Sequence, residues 1–298
     1  MPVRSRIFSL RRLLIVCVTV VASLISISVA QEDERRIWDS EFVKKRNAPK
    51  TPTAQRKTSA YRRATPKNAA IDEKAQGEMV GVTLWRLRQS ATADNKEARL
   101  LLQDEESGEA VEWTPERVEA ETIFSAGDRV RLSIESPRDG FLYVIDREQY
   151  ADGTLSEPYL IFPTLRIRSG NNAVTAGRVI ELPDKSVFRL TPLRPDYKGE
   201  VLTILVTDKP IADVQIGPKM MKLDAAVFEQ WEKQWGAALE RFELIGGAGK
   251  TYTRAEKEAG MEGARLLTQE DELPQTLYRV LPKPGNPLMV KVPLQIGK

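Results

Sequence analysis

The side chains able to do chemistry in this chain are carboxylates, because histidine is missing and cysteine nearly so. Among 298 residues there is no histidine, and Cys17 is the only cysteine. Without imidazole, Ser-His and Cys-His nucleophile pairs and histidine-based metal ligation are excluded. Asp128, Asp139 and Asp152 each adjoin a glycine, and Asp146, Glu148, Asp152 and Glu157 crowd one short stretch. Two carboxyls about 5–9 Å apart across a cleft would suit a glycan hydrolase. Calcium needs oxygen ligands converging from one loop, and the twelve-residue spacing fails where Tyr150 replaces a third ligand. Asp-Gly is also a favoured turn pair, so a structural role is the simpler expectation for these acids. The sequence leads us to expect no catalytic residue, no metal and no cofactor.

Gly246-Gly-Ala-Gly-Lys-Thr251 resembles a phosphate-binding loop, but Leu244 stands where the first glycine of that pattern belongs. The reading is an ordinary loop between two helices. Neither a Gly-x-Ser-x-Gly elbow nor a Ser-x-x-Lys pair occurs.

Two further groups point to binding. Nine basic and no acidic residues lie between Lys44 and Lys67, with Pro49, Pro52 and Pro66. Lys44, Lys45, Arg46, Arg56, Lys57, Arg62 and Arg63 are candidates for contact with an anionic lipid or cell-wall polymer. Nucleic acid is not expected, since Tyr61 alone offers a stacking ring there. The second group is aromatic. Phe228, Trp231 and Trp235 follow one helical face, and Trp38 sits in a short amphipathic peptide with Ile37, Phe42 and Val43. These are candidate docking residues for another envelope protein, with packing inside the chain's own domain as the plainer use.

The elements that must carry these residues are mostly strands. Val130, Leu132 and Ile134 alternate with polar residues, predicting a strand with one wet face. Phe141–Ile145 is apolar without alternation, as in a strand covered on both faces. Runs around Gly81–Leu87, Tyr159–Phe162, Arg178–Leu182, Val187–Leu190 and Val201–Val206 continue the pattern, separated by Gly, Pro and Asn. From Asp224 a helix is predicted through residue 245, its stripe of Val227, Phe228, Trp231 and Trp235 extended by Leu239 and Phe242. Thr253 with Glu256 predicts a capping box for a shorter helix. Thr276–Leu281 and Leu288–Leu294, around a proline-rich turn, read as a C-terminal hairpin added to the main sheet.

Arg4, Arg6, Arg11 and Arg12 precede an apolar run from Leu13 to Ile27, and Ser28-Val29-Ala30 supplies a cleavage site. The run is short for a membrane span, so a cleaved export signal is expected, with an uncleaved anchor to the inner membrane as the second reading. Periplasmic or secreted location follows. The full chain has 45 basic and 42 acidic residues, and cleavage would remove four arginines and the cysteine. The remaining chain needs no disulfide partner in an oxidising compartment.

Phe124-Ser-Ala-Gly-Asp-Arg-Val-Arg-Leu132, Asp139-Gly-Phe-Leu-Tyr-Val-Ile145, Leu160-Ile-Phe-Pro163 and Gly177-Arg-Val-Ile-Glu-Leu-Pro183 occur in this order. Val82-Thr-Leu-Trp85 precedes them, and Gly199-Glu-Val-Leu-Thr-Ile-Leu-Val206 closes the series. Over about residues 80–210 it resembles the bacterial family catalogued as domain of unknown function 4384. The resemblance implies an exported or envelope-associated β module with no catalytic residues to transfer. The stretch from Glu148 to Pro158 is longer than that family's pattern.

The expected architecture is mainly β: an antiparallel sandwich or partly open barrel with an appended amphipathic helix. Its divisions are 1–30 signal, 31–78 disordered basic linker, 79–212 β domain, 213–272 helical segment and 273–298 hairpin. The expected function is an exported, non-enzymatic binding or scaffold module. A carboxylate-dependent envelope hydrolase and a docking subunit of an envelope assembly are the competing readings.

Overall fold

Short apolar runs punctuated by glycine and proline have few ways to bury their faces except by pairing as strands. In a computed structural model, which describes residues 42–48, 60–64, 77–103, 108–261 and 265–297, they form two stacked sheets. The strands are β1 Tyr61–Arg63, β2 Glu78–Gln89, β3 Leu100–Gln103, β4 Ala110–Val118, β5 Ile123–Phe124 and β6 Arg129–Glu135. Then follow β7 Gly140–Tyr150, β8 Tyr159–Phe162, β9 Ala173–Val174, β10 Val179–Leu182, β11 Phe188–Arg189, β12 Tyr197–Thr207 and β13 Met221–Lys222. Helix α1 Ala225–Trp235, strand β14 Ala238–Leu244, helix α2 Arg254–Gly260 and strands β15 Thr276–Leu281 and β16 Leu288–Ile296 complete the order.

The first sheet runs β1-β14-β15-β2-β4-β3, with β6 also on β2 and with β10 and β11 on β6. The second runs β13-β8-β7-β12-β16-β5, with β9 on β7. Pairing is antiparallel except for β16 with β5, and neither sheet closes into a barrel. Between them lies the main core. Val82 and Leu84 of β2 and Leu132 and Ile134 of β6 meet Leu142 and Val144 of β7, Ile204 of β12 and Val290 of β16. Each such fully buried side chain contributes roughly 1.5–3 kcal/mol.

The strand expected to be covered on both faces is so covered. Leu142 and Val144 face the sandwich, while Tyr143 and Ile145 face α1. Asp224 caps α1 as the sequence predicts, its Oδ1 accepting from the amides of Ala226 (2.8 Å) and Val227 (3.0 Å). The capping box of Thr253 and Glu256 is present on α2.

Four expectations need correction. The long helix stops at Trp235, because Gly236 takes extended dihedrals (φ −54°, ψ 131°) and β14 follows. Leu239 and Phe242 continue a helical spacing, yet on a strand that spacing sends them to opposite faces. Leu239 packs on the main core, and Phe242 on the outer cluster with Phe42 and Tyr61. The helical segment 213–272 is therefore mixed, with β14 completing the first sheet. The C-terminal hairpin is not one either. β15 pairs with β14 and β2 in the first sheet, whereas β16 pairs with β12 and β5 in the second. The turn between them crosses from sheet to sheet.

The third correction concerns β6, whose polar face is not wet. Arg131 and Glu135 are buried, at 4% exposure each, under chain that covers the outer side of the first sheet. Fourth, the described parts of the 31–78 linker are ordered. Residues 43–45 form a 3-10 turn anchored by buried Phe42 and Val43, and β1 pairs with β14. Gly177 makes the first of these possible: a Cβ there would lie 2.2 Å from the carbonyl oxygen of Lys45. The proposed signal, residues 1–30, lies outside the described residues. No described helix is long and apolar enough to cross a membrane.

Candidate functional site

The acids singled out by sequence divide into two kinds. Asp128 accepts from the Ser125 amide (2.9 Å), Asp139 from that of Ala176 (2.8 Å), and Asp152 from that of Thr154 (2.9 Å). These are turn-stabilising contacts, in keeping with the turn preference of Asp-Gly. Asp146 and Glu148 differ. They continue the inward face of β7 beyond Val144, so they point into one end of the sandwich. Glu200 of β12 stands opposite Glu148 in register and joins them.

Little in this end of the core neutralises them. The Tyr197 hydroxyl donates to Glu200 Oε1 at 2.9 Å, and the Leu193 amide to Glu148 Oε1 at 3.2 Å. Asp146 Oδ1 and Glu148 Oε2 are buried with no hydrogen-bond partner. Arg147, next in the chain, projects from the opposite face, bonding the Ser156 carbonyl at 2.7 Å near the Phe228 ring. Desolvation, then the neighbouring charge of Glu148, pushes the Glu200 carboxyl up to about 7, against the bond from Tyr197. Burial also lifts Asp146 well above the carboxylate range, reinforced by Glu200 and then Glu148. Sequence reading missed Glu200, although its position two residues before the core-facing Leu202 was the available signal. Among the described residues no group of three or more acids is placed to hold a metal ion.

The basic candidates also divide. Arg46 is 3% exposed: its Nε donates to Glu135 Oε2 at 2.9 Å and its Nη1 to the Glu272 carbonyl at 3.0 Å. Arg63 pairs with buried Glu240, and Arg62 with Glu119 at 2.6 Å. Burial takes Arg46 away from any outside surface, which corrects its expected contact with one, whereas Arg62 stays exposed and Arg63 partly so. Arg56, Lys57 and Trp38 lie outside the described residues. Lys44 and Lys45 are exposed. They stand beside a cavity of about 590 Å³ walled by Phe42, Met79, Pro137 and Pro282, with Arg138 and Lys283 also lining it. Arg138 is shared with Glu78 at 3.6 Å and Asp208 at 3.4 Å.

The aromatic candidates serve their own domain. Phe228 is fully buried among Tyr143, Ile145, Leu160 and Leu205, which removes it as a docking residue. Trp231 and Trp235 stack on each other with ring centroids 5.2 Å apart and pack, half-buried, on the same cluster.

The glycine-rich loop 246–251 follows a strand, β14, and not the helix expected from sequence. Its backbone is nonetheless committed elsewhere. The Gly249 amide bonds the Arg117 carbonyl (2.9 Å), and Arg117 N bonds the Lys250 carbonyl (2.8 Å), tying the loop to β4. Amides held this way cannot converge on a phosphate. Comparison of the chain with protein-family models, curated proteins and solved structures returned no match.

Proposed function

We propose that this chain is an exported, non-enzymatic binding module of the bacterial envelope that docks an acidic segment of a partner protein. The observation carrying this reading is the groove beside Lys44 and Lys45. Three lysines, Lys44, Lys45 and Lys283, border walls of Phe42, Met79 and proline, and Arg138 on the same lining is shared with Glu78 and Asp208. An apolar side chain flanked by carboxylates fits such a lining better than a bare polyanion does, since the apolar walls would otherwise gain nothing. The cluster of Asp146, Glu148 and Glu200 argues less well for a glycan hydrolase. It borders neither this cavity nor the one lined by Trp113 and Arg129, and hydrolysis needs carboxyls facing a substrate cleft. Export rests on the pattern of residues 1–30, and the resemblance to domain of unknown function 4384 points the same way.

The test is a photo-crosslinking residue in place of Lys283 in the full-length exported protein. A discrete protein adduct is expected, weakened by salt and lost when Lys44 and Lys45 are both changed to Glu. Adducts to lipid alone, or an adduct indifferent to both changes, would overturn the reading.

A further inference from the structure

The loops that follow β8 and precede β13 meet at the edge of the second sheet, where β13 is the outermost strand. The Leu165 amide donates to the Gly217 carbonyl at 2.8 Å and ties one loop to the other. A Cβ on Gly170 would lie 3.1 Å from Cγ2 of Ile216 and 3.2 Å from Cδ2 of Leu165, so both side chains close over that one residue. The turn from Gly217 to Met221 is tight, with Met221 Sδ 2.7 Å from where a Gly217 Cβ would stand, which brings Lys219 and Met220 back to the same place. Leu165 is nevertheless 54% exposed, Ile216 40% and Met220 63%. A single exposed aliphatic residue needs no explanation, whereas several drawn together mark an interaction surface.

The backbone fixes this presentation. Arg168 and Ser169 take left-handed dihedrals (φ 51° and 53°) and lead into Gly170 (φ 80°). That conformation is strained for residues other than glycine and persists where the surrounding structure imposes it, as in binding loops. Charge accompanies the apolar tips. Arg166, beside Leu165, and Lys219, beside Met220, are both exposed. Residues 164–170 and 213–220 together carry Arg166, Arg168 and Lys219 against one acid, Asp213. The acids tied to neighbouring positions are Asp184, which accepts from the Arg168 amide at 3.4 Å, and Glu157, which pairs with Lys222 at 3.3 Å.

We infer that this patch docks on an anionic lipid surface. Leu165, Ile216 and Met220 enter the headgroup layer, and Arg166 and Lys219 meet its phosphates. A fluid interface accepts aliphatic tips without a matching shape, and binding grows with buried apolar area plus attraction to anionic headgroups. A protein partner favours aromatic anchors at the centre of a patch, and none is present here. These residues are not those of the groove, so lipid docking can fail while the crosslink at Lys283 stands, and the reverse.

The test places an environment-sensitive fluorophore on Met220→Cys in the full-length protein, with the native thiol removed by Cys17→Ser. Vesicles of phosphatidylcholine with phosphatidylglycerol should shift its emission to the blue, and vesicles of phosphatidylcholine alone should not. Arg166→Gln and Lys219→Gln should each raise the lipid concentration at half-shift by about fivefold, the effect of one cation near an anionic surface. Arg166→Lys should restore the shift, Leu165→Ser should weaken it several-fold, and all of these exposed changes should leave the melting temperature in place. Emission already blue before lipid is added would mean that the chain or a second copy covers the patch, and would overturn the proposal. No shift with the anionic vesicles, an equal shift with the neutral ones, or indifference to Arg166→Gln and Lys219→Gln would do the same.

Discussion

Charge is buried in two regions of this molecule, under opposite terms. On the outer face of the first sheet, four buried glutamates each have an arginine. Glu135 holds Arg46, Glu256 holds Arg117, Glu181 holds Arg131 at 2.9 Å, and Glu240 holds Arg279 at 2.8 Å. At one end of the sandwich interior, Asp146, Glu148 and Glu200 have no cation in contact among the described residues. A buried ion pair repays part of its desolvation through attraction, whereas a buried carboxylate without one lowers its cost by taking a proton. The first arrangement therefore ties covering chain to the sheet. The second makes stability depend on pH.

The sharpest way to break this comparison is to strip one paired glutamate of its arginine. Arg117 is 2% exposed, bonds Glu256 and the Leu273 carbonyl (2.6 Å), and lies 5.1 Å from the Trp85 ring centroid. Arg117→Ala leaves buried Glu256 without its cation, and should cost about 3–5 kcal/mol in urea denaturation. Replacing both partners together, Arg117→Met with Glu256→Leu, should cost less than the single change. A loss under about 1 kcal/mol for Arg117→Ala would mean that the pair fixes nothing.

The acid cluster gives the next largest effect, and its sign is opposite to that of an ion-paired carboxylate. Glu200 titrates near 7 in the folded chain and near its ordinary 4.5 when unfolded. Between those values the folded state holds a proton that the unfolded state has released. The stabilisation is thus fully present below pH 4.5 and is lost as pH rises through 7, by on the order of 3 kcal/mol. Asp146, also raised, acts in the same direction. Glu200→Gln should flatten this decline, stabilising the protein at pH 8 with little change at pH 4.5. Parallel stability-versus-pH curves for the two proteins would show that the cluster is not what senses pH.

These two regions also mark how far the sequence could be read. Period-two alternation on β6 and the unbroken apolar run on β7 identified core strands, because both report burial of whole faces. Alternation says nothing of what covers the polar face, and Arg131 and Glu135 read as wet because their partners are remote. Arg46 lies 89 residues from Glu135. A run of nine basic residues looked like one solvated arm for the same reason, although Arg46 and Arg63 are individually matched to distant glutamates. The helix stripe failed where Leu239 and Phe242 fitted two periods at once. Of the sites, Lys44 and Lys45 were legible as exposed cations, whereas the place of Glu200 depends on strand register, which no local pattern fixes.

The smallest effect separates charge pairing from helix position. Glu256 Oε2 accepts from the Thr253 amide at 3.0 Å and its hydroxyl at 2.8 Å, while the other carboxylate oxygen takes Arg117. The Thr253 hydroxyl in turn accepts from the Glu256 amide at 3.2 Å. Thr253→Ala removes the cap from α2 but leaves the guanidinium and carboxylate facing each other. It should cost about 1 kcal/mol, the usual value of an N-cap, measured in the same urea titration. If it matched the cost of Arg117→Ala, the placement of α2 would carry the stability and the ion pair would merely follow it. The smaller value keeps the attribution with the buried charges: in one region each buried glutamate has an arginine, and in the other burial favours the protonated forms of Asp146 and Glu200.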